Sequence, residues 1–168
     1  MTRQVVPGWE GRYFEDFAAG DVYRSRIGRT ITETDNIQFT LLTNNTNQIH
    51  FNDHYAKGTE FGKTLVNSAF TIAVVAGLAV ADTSENGFAL GWGEVVLPNP
   101  LFAGDTLYAE SEVLESRASR SRPGWGIVKL RQRGIKQDGT IVLEMTRSFM
   151  VPTRAAAPVR DHFPGPKA

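Results

Sequence analysis

Residues 44–56, NNTNQIHFNDHYA, hold the side chains of this sequence that are best suited to acid–base chemistry. His50 lies among side-chain amides there, and an imidazole that titrates near neutral pH is a candidate general base. The apolar run that follows, SAFTIAVVAGLAVA (68–81), predicts a helix with Asn67 or Ser68 as its N-cap. Free N–H groups at the start of that helix suit an oxygen that gains negative charge. A base and such a site at the two ends of one loop are what proton chemistry beside a thioester requires.

Two helices of different character must position these groups. Thr30 followed by Glu33 predicts a capping box, and a short amphipathic helix leads from it into the polar turn. Four residues at helical spacing support this helix: Ile37, Thr40, Leu41 and Asn44. The second helix, over 68–81, is apolar nearly all round, so we expect it to be buried on every side.

The remaining chain predicts strands. Residues 21–30 alternate loosely, and four longer runs follow: 86–98, 105–116, 124–137 and 139–151. In the second long run, one face is formed by Leu107, Ala109, Ser111 and Val113. Asp138-Gly139 predicts a hairpin turn of the primed type, and Trp92 is expected in the core.

About five antiparallel strands and one helix buried all round predict an α+β fold. The expected architecture is a single hot-dog domain, in which a long antiparallel sheet wraps around a buried central helix. The domain is predicted over 1–151, with an N-terminal arm pinned by Tyr13, Phe14 and Phe17, and with a Pro/Ala-rich tail of little order over 152–168. The open sheet edge predicts a homodimer or a dimer-based assembly.

Composition excludes several classes of function. Lys plus Arg and Asp plus Glu both number 18, so no net field favours nucleic acid or an anionic membrane as a partner. The sequence has no cysteine and no stretch of roughly 18 uninterrupted apolar residues, and its first residues do not resemble a secretion signal. We therefore expect a cytoplasmic protein. No glycine-rich phosphate-binding fingerprint is present, so we expect no nucleotide, flavin or nicotinamide cofactor.

A metal centre is also not predicted. His54 follows His50 by four residues, but a zinc helix of the H-E-x-x-H type needs a glutamate where Phe51 stands.

The segment FTLLTNNTNQIHFNDHYAKGTEFGKTLVNSAF (39–70) resembles the signature of the MaoC-like, (R)-specific enoyl-CoA hydratases of hot-dog fold. The matching residues are Asn47, Ile49, His50, Tyr55, Ala56, Phe61 and Gly62. The Gly-Asp pair in NPLFAGDTLYAESEVL (99–114) resembles the segment that enters a long strand in that family. Four further segments are similar to a subgroup of the family that acts on branched dicarboxylic acyl-CoAs, such as mesaconyl- or itaconyl-CoA. They are YFEDFAAGD, GRTITETDNIQFTLLT, LGWGEV and SRSRPGWGIV.

The resemblance implies reversible syn addition of water across a 2-enoyl-CoA thioester. His50 would take a proton from the water, the backbone N–H of Ser68 would hold the thioester oxygen, and Asn67 would shape that loop. Asn47 belongs to the implied substrate-binding set. CoA would be carried by the substrate, and no other cofactor is implied.

One departure from the family pattern concerns the proton relay. The family aspartate falls five residues before the histidine, where this chain has Asn45; Gln48 replaces the family proline, and Asn67-Ser68 replace its histidine-glycine pair. An amide can position water but cannot ionise. Asp53 or Glu60 could replace the aspartate, catalysis could run mainly on His50, or the protein could bind without turnover.

Arginines are the candidate anion-binding residues. Arg117, Arg120 and Arg122 share one loop, and Arg122 is the candidate for the CoA phosphates, although such a loop is most often a solvated hairpin end. Arg24, Arg26 and Arg29 are candidates for a substrate carboxylate.

Two other functions compete with hydration. A thioesterase of the same fold would use a carboxylate near the buried helix, such as Glu60. A non-catalytic subunit that supports an active partner would account for Asn45.

Overall fold

A computed structural model of the chain describes residues 4, 6, 8–158 and 163–164. The helices are α1 (Glu33–Leu42), α2 (Asp53–Lys57), α3 (Ser68–Leu78) and α4 (Val80–Thr83). The strands are β1 (Val22–Arg24), β2 (Arg29–Thr30), β3 (Phe88–Val96), β4 (Thr106–Ala118), β5 (Trp125–Lys136) and β6 (Ile141–Pro152). Short 3-10 turns lie at Phe14–Asp16, Gln48–His50 and Arg154–Ala156.

One antiparallel sheet carries the fold. Its strand order is β1-β4-β5-β6-β3, and β2 also pairs with β4. The helix α3 packs on one face through Val75, which contacts Gly134 on β5 and Leu143 on β6. The predicted α+β hot-dog architecture is confirmed. The predicted inner face of β4 is confirmed too, since its four residues are all buried.

The two sides of α3 differ in exposure. The prediction that this helix is buried on every side is wrong for a single chain. Thr71 and Val75 are buried against the sheet, whereas Ala69, Ala73 and Gly77 are exposed. The strands of one chain cover only one side of the helix, so its apolar sequence exceeds what its own sheet can bury.

Local signals at caps and turns were displaced by a few residues. The capping box of α1 is formed by Thr32 and Asp35 instead of Thr30 and Glu33. The β5–β6 turn is not of the primed type, because Gly139 alone in it has a positive φ. The Gly139 N–H closes the turn on the Lys136 carbonyl at 2.9 Å, as in a three-residue hairpin loop with a left-handed glycine.

The strand predicted over 21–30 is divided into β1 and β2. At the interruption, Gly28 packs so closely on the Tyr108 ring that a Cβ would lie 2.5 Å from it. At the other edge of the sheet, Trp92 on β3 is 52% exposed, so its predicted core position is wrong.

Residues 14–17 and residues 152–156 lie close together beside the sheet. Phe17 is buried and Phe14 packs against Gly126, which confirms the pinned arm. The tail begins with more order than predicted, because Pro152 still belongs to β6 and Arg154 pairs with Asp16. Residues 159–162 and 165–168 of the predicted tail lie outside the described residues.

Candidate active site

His50 ends the 3-10 turn Gln48–His50 and is 7% exposed. Its Nδ1 lies 2.9 Å from the Leu65 carbonyl oxygen. Because a carbonyl oxygen can only accept a hydrogen bond, Nδ1 carries the proton in this arrangement, and in the neutral ring Nε2 keeps its lone pair. The backbone therefore holds the imidazole in the tautomer that a general base needs.

The start of α3 lies on the same loop. Asn67 is the N-cap, as predicted, and its side-chain oxygen accepts the Ala69 N–H at 2.9 Å. The Ser68 N–H has no hydrogen-bond acceptor among the described residues, so it is available to a ligand. The positive end of the helix dipole adds to its attraction for a developing negative charge.

A cavity of about 260 Å³ opens at this helix start. Leu65, Val66 and Ser68 line one side, and residues 97–101 with Val142 form much of the rest. The walls are mainly apolar, and Leu65 is also the residue whose carbonyl holds His50. The cavity can therefore accept a short apolar group whose polar end meets the Ser68 N–H.

The predicted Gly-Asp pair supports this cavity from outside. The Asp105 carboxylate accepts the Phe102 N–H at 3.0 Å, and Lys136 lies 3.0 Å from it. Burial raises the pKa of Asp105, but hydrogen bonds from Phe102, Lys136 and Gln137 outweigh it and hold the pKa below its usual value. The ionised carboxylate thus fixes the loop that begins just after the cavity wall.

A buried amide that sequence reasoning missed joins the two halves of the site. Asn36 on α1 is 2% exposed; its Nδ2 donates to the His50 carbonyl at 2.8 Å and to the Leu65 carbonyl at 3.1 Å. Its Oδ1 accepts the Asn67 N–H at 2.8 Å. One turn later, Thr40 accepts the Asn67 side-chain N–H at 3.2 Å. Polar residues at i and i+4 on the inner face of α1 were the available signal.

The two asparagines before His50 shape the turn. The Asn45 side-chain oxygen accepts the Asn47 N–H at 3.0 Å, and the Asn47 side-chain oxygen accepts the Ile49 N–H at 3.3 Å. Asn47 is exposed and acts as the cap of the turn, whereas Asn45 is half-buried. Nothing in the structure tests the substrate-binding role predicted for Asn47 or the catalytic role predicted for Asn45.

The two acids that could replace the family aspartate lie elsewhere. Asn52 caps a new helix after His50, so Asp53 does not lie on one helix with His50. The Asp53 carboxylate pairs with Lys57 at 2.6 Å and is more than half exposed. Glu60 is exposed as well. Within the described ranges, no carboxylate forms an ion pair with His50.

The predicted arginines are not brought to the cavity within this chain. Arg122 lies in the β4–β5 loop with its guanidinium 4.0 Å from the centre of the Trp125 ring, and it is not among the described residues that line the cavity. Arg24 pairs with Glu110 at 3.0 Å, and Arg29 pairs with Asp35 at 2.7 Å. Arg26 has the loosest pairing, 3.9 Å from Asp82.

Lys63 is a cation near the cavity that the sequence reasoning did not consider. It lies between Phe61 and Leu65 in the chain, and both of these line the cavity. Its ammonium is 4.2 Å from the centre of the Phe102 ring.

In the part of the chain that the structure describes, no three His, Cys, Asp or Glu side chains cluster closely enough to hold a metal ion. None of the helices in that part is both long and apolar enough to cross a membrane.

Comparisons with known proteins identify the family and the fold. Residues 6–161 match the family model described as mesaconyl-CoA hydratase. The chain is similar to the mesaconyl-CoA hydratase of Cereibacter sphaeroides, with 33% identity over 148 residues that cover 88% of this chain and 43% of that protein. The chain therefore spans less than half the length of this relative.

Solved structures show the same fold. A MaoC-like dehydratase from Rhodospirillum rubrum superposes with a TM-score of 0.77 and 26% identity, over 89% of this chain and 100% of that one. The Mycobacterium tuberculosis protein Rv0216, which has a double hot-dog fold, superposes with a TM-score of 0.75 and 24% identity, over 92% of this chain and 47% of that one. The fold thus occurs both as a chain of this length and as half of a longer chain.

Proposed function

Because the chain belongs to the mesaconyl-CoA hydratase family, we propose that it catalyses the reversible hydration of a 2-enoyl-CoA thioester. One observation supports this proposal: the Leu65 carbonyl holds His50 Nδ1, and Leu65 also lines the cavity at which the Ser68 N–H has no acceptor among the described residues. A base and an oxyanion donor on one loop that borders an apolar cavity are the groups that addition of water to a conjugated thioester requires.

In the proposed mechanism, His50 Nε2 takes a proton from water while the water oxygen bonds to C3 of the substrate. Electrons from the C2–C3 double bond move toward the thioester oxygen, which the Ser68 N–H stabilises as an enolate oxygen. The enolate then collapses and C2 takes a proton, so that one water is added in total. Asn45 cannot ionise, and Asp53 and Glu60 are exposed, so we assign the second proton transfer to the His50 imidazolium.

The substrate class is proposed from the family together with the cavity. The acyl part is a short 2-enoyl group, with the branched dicarboxylic mesaconyl and itaconyl groups as leading candidates. CoA is part of the substrate, and no other cofactor is proposed. Lys63 is better placed than Arg122 to meet the anionic part of CoA within one chain.

The active assembly is proposed to contain a second hot-dog domain, supplied by another copy of this chain. The uncovered face of α3 presents Ala69, Ala73 and Gly77, small residues at i and i+4 that permit close helix contact. The outer edge strand β3 and the residue after it add exposed apolar side chains: Phe88, Leu90, Trp92, Val95, Val96 and Leu97. A second domain that continues the sheet at β3 would cover both surfaces. The cytoplasmic location stays a prediction.

The test is a panel of crotonyl-, mesaconyl- and itaconyl-CoA incubated with the purified protein. Mass spectrometry detects a gain of one water on every substrate, and loss of the conjugated enoyl absorbance gives the rate for those substrates that have a conjugated enoyl group. Hydration of mesaconyl- or itaconyl-CoA in preference to crotonyl-CoA would support the dicarboxylic assignment. If no substrate gains water while CoA esters still bind, the proposed activity is wrong.

One observation favours a second candidate, a non-catalytic subunit. Asn45 gives the turn no carboxylate, and no other acid takes its place in the described site. Activity of the homo-oligomer alone would exclude this role. The thioesterase alternative has no comparable support, because Glu60 is exposed; a thiol-reactive dye would detect the CoA that it releases.

A further inference from the structure

We propose that Asn36 is a positioning residue that aligns the His50 imidazole and the Ser68 N–H with each other. This inference rests on the proposed function. Asn36 touches neither the substrate nor the reacting atoms, and it acts through the loop that carries both groups.

Three hydrogen bonds place Asn36 at the junction. Its Nδ2 donates to the carbonyls of His50, at 2.8 Å, and Leu65, at 3.1 Å. Its Oδ1 accepts the N–H of Asn67, the residue before Ser68, at 2.8 Å. One side chain therefore fixes the base, the base's own acceptor and the cap of α3.

The Leu65 carbonyl is the shared element. It accepts the His50 Nδ1–H at 2.9 Å as well as the Asn36 Nδ2–H, and both donors can be accommodated because a carbonyl oxygen has two lone pairs. Asn36 therefore holds the orientation of the 65–66 peptide unit, and that orientation selects the proton position on His50. If the Leu65 carbonyl turned away, the Nδ1–H form would lose the hydrogen bond that favours it over the Nε2–H form.

The chemistry of the side chain explains why an amide stands here. Two carbonyl acceptors and one N–H donor must be satisfied in a dry environment, and an asparagine has two N–H donors and one acceptor oxygen. An aspartate of the same shape would place one oxygen, in the position of Nδ2, against both carbonyls. Leaving such buried groups unsatisfied is unfavourable, so the loop would shift.

The test compares Asn36→Asp with a matched control, Asn86→Asp. The Asn86 amide also bridges two carbonyls, those of Glu10 and Arg12, each at 2.9 Å, but it lies away from the cavity. For Asn36→Asp we expect kcat on the best enoyl-CoA to fall about 100-fold with little change in KM, as for a misaligned catalytic group. The control is expected to keep the kcat of the wild type. Circular dichroism confirms that both variants are folded.

A second readout is independent of turnover. Long-range nitrogen–proton NMR of histidine-labelled protein reports which ring nitrogen of His50 carries the proton. We expect the Nδ1–H form in the wild type and a mixture with the Nε2–H form in Asn36→Asp.

Three results would overturn the proposal: an Nε2–H form in the wild type, an unchanged tautomer in the folded Asn36→Asp variant, or equal loss of kcat in the control. The wild-type spectrum alone decides the first of these, even if Asn36→Asp does not fold. Absence of wild-type hydration would instead reject the proposed function, and the tautomer measurements would still decide the role of Asn36.

Discussion

Two buried polar clusters in this fold are satisfied to different degrees. In the site cluster, Asn36, Thr40, His50 and Asn67 are all at most 7% exposed, and each takes part in hydrogen bonds to the others or to the loop between them. In the edge cluster, Arg147 and Ser84 are also buried, but the Arg147 side chain makes one hydrogen bond to the described residues, from Nη2 to the Ser84 hydroxyl at 3.0 Å. Its Nε and Nη1 have no partner among the described residues.

This difference in hydrogen bonding separates the part of the protein whose buried polar groups are satisfied within one chain from the part where they are not. Fully satisfied buried networks hold a single arrangement, and the site cluster therefore keeps His50 and the start of α3 in place. Burial lowers the pKa of Arg147, which shows that its charge is desolvated. Arg147 pairs in register with Trp92 on the exposed strand β3, where the second hot-dog domain is proposed. The edge cluster thus lies at the surface that the second copy would change.

Loss of the His50 imidazole from the site cluster is expected to have the largest effect on activity. His50→Ala removes the base, and we expect the hydration rate to fall roughly 10²–10⁴-fold. His54→Ala is the matched control, because His54 is exposed on α2 four residues later and should be replaceable without loss. Initial rates on the best enoyl-CoA measure both. Turnover of His50→Ala equal to that of His54→Ala would remove His50 from the mechanism.

Asn45→Asp would add to the site the carboxylate that the family pattern has at this position. The new side chain keeps an oxygen for the Asn47 N–H, and the other oxygen can relay a proton. We expect kcat to rise by up to about 100-fold, the lower end of what a general acid–base group contributes. No gain, or a loss, would mean that the pocket is built around the amide. The same assay as for His50 measures the change.

Arg147→Met tests whether the edge cluster is incomplete in solution. If nothing pairs with the guanidinium, removing a desolvated charge should raise the free energy of unfolding by about 1–2 kcal/mol. Urea denaturation at low and high protein concentration measures it. A decrease that grows with concentration would show instead that a second copy supplies a partner for Arg147.

Arg24→Met is the control for that measurement. Its side chain is 80% exposed and pairs with Glu110, so we expect a change within about 0.5 kcal/mol.

The smallest expected effect concerns the helix that carries Asn36. Asp35 lies beside Asn36 and forms the capping box of α1 with Thr32; hydrogen bonds from Thr32 and Arg29 lower its pKa to about 2. Asp35→Ala should reduce the free energy of unfolding at pH 7 by about 1 kcal/mol. A lowered pKa means that this stabilisation is present above the unfolded value of 3.8 and is lost as the pH falls toward 2.

Chemical denaturation of the wild type and Asp35→Ala at a series of pH values checks this window. The stability difference between the two proteins should shrink from pH 5 downward, as the wild type loses the contribution of the carboxylate. A difference that stays constant to pH 2 would contradict the assignment of the cap to the ionised side chain.

Local patterns were sufficient for much of this protein. The period-two runs predicted β3 to β6 because alternation along a strand follows directly from its geometry, and the apolar run after Asn67 predicted α3. The motif around His50 predicted a base there, and Asn67 was one of the two residues predicted as the N-cap that the structure shows. The strands, the helix and its cap depend on neighbours within a few residues, so local sequence patterns can predict them.

Contacts between distant segments decided the rest. Asn36 looked like an ordinary polar residue of an amphipathic helix, and only the packing of α1 on the 65–67 segment makes it a shared hydrogen-bonding partner. Trp92 is a residue type that is often buried, but it is exposed here because β3 is an edge strand of this chain. The tautomer of His50 depends on a carbonyl fifteen residues away. Burial and hydrogen-bond partners are properties of the folded arrangement, so tertiary structure alone could assign them.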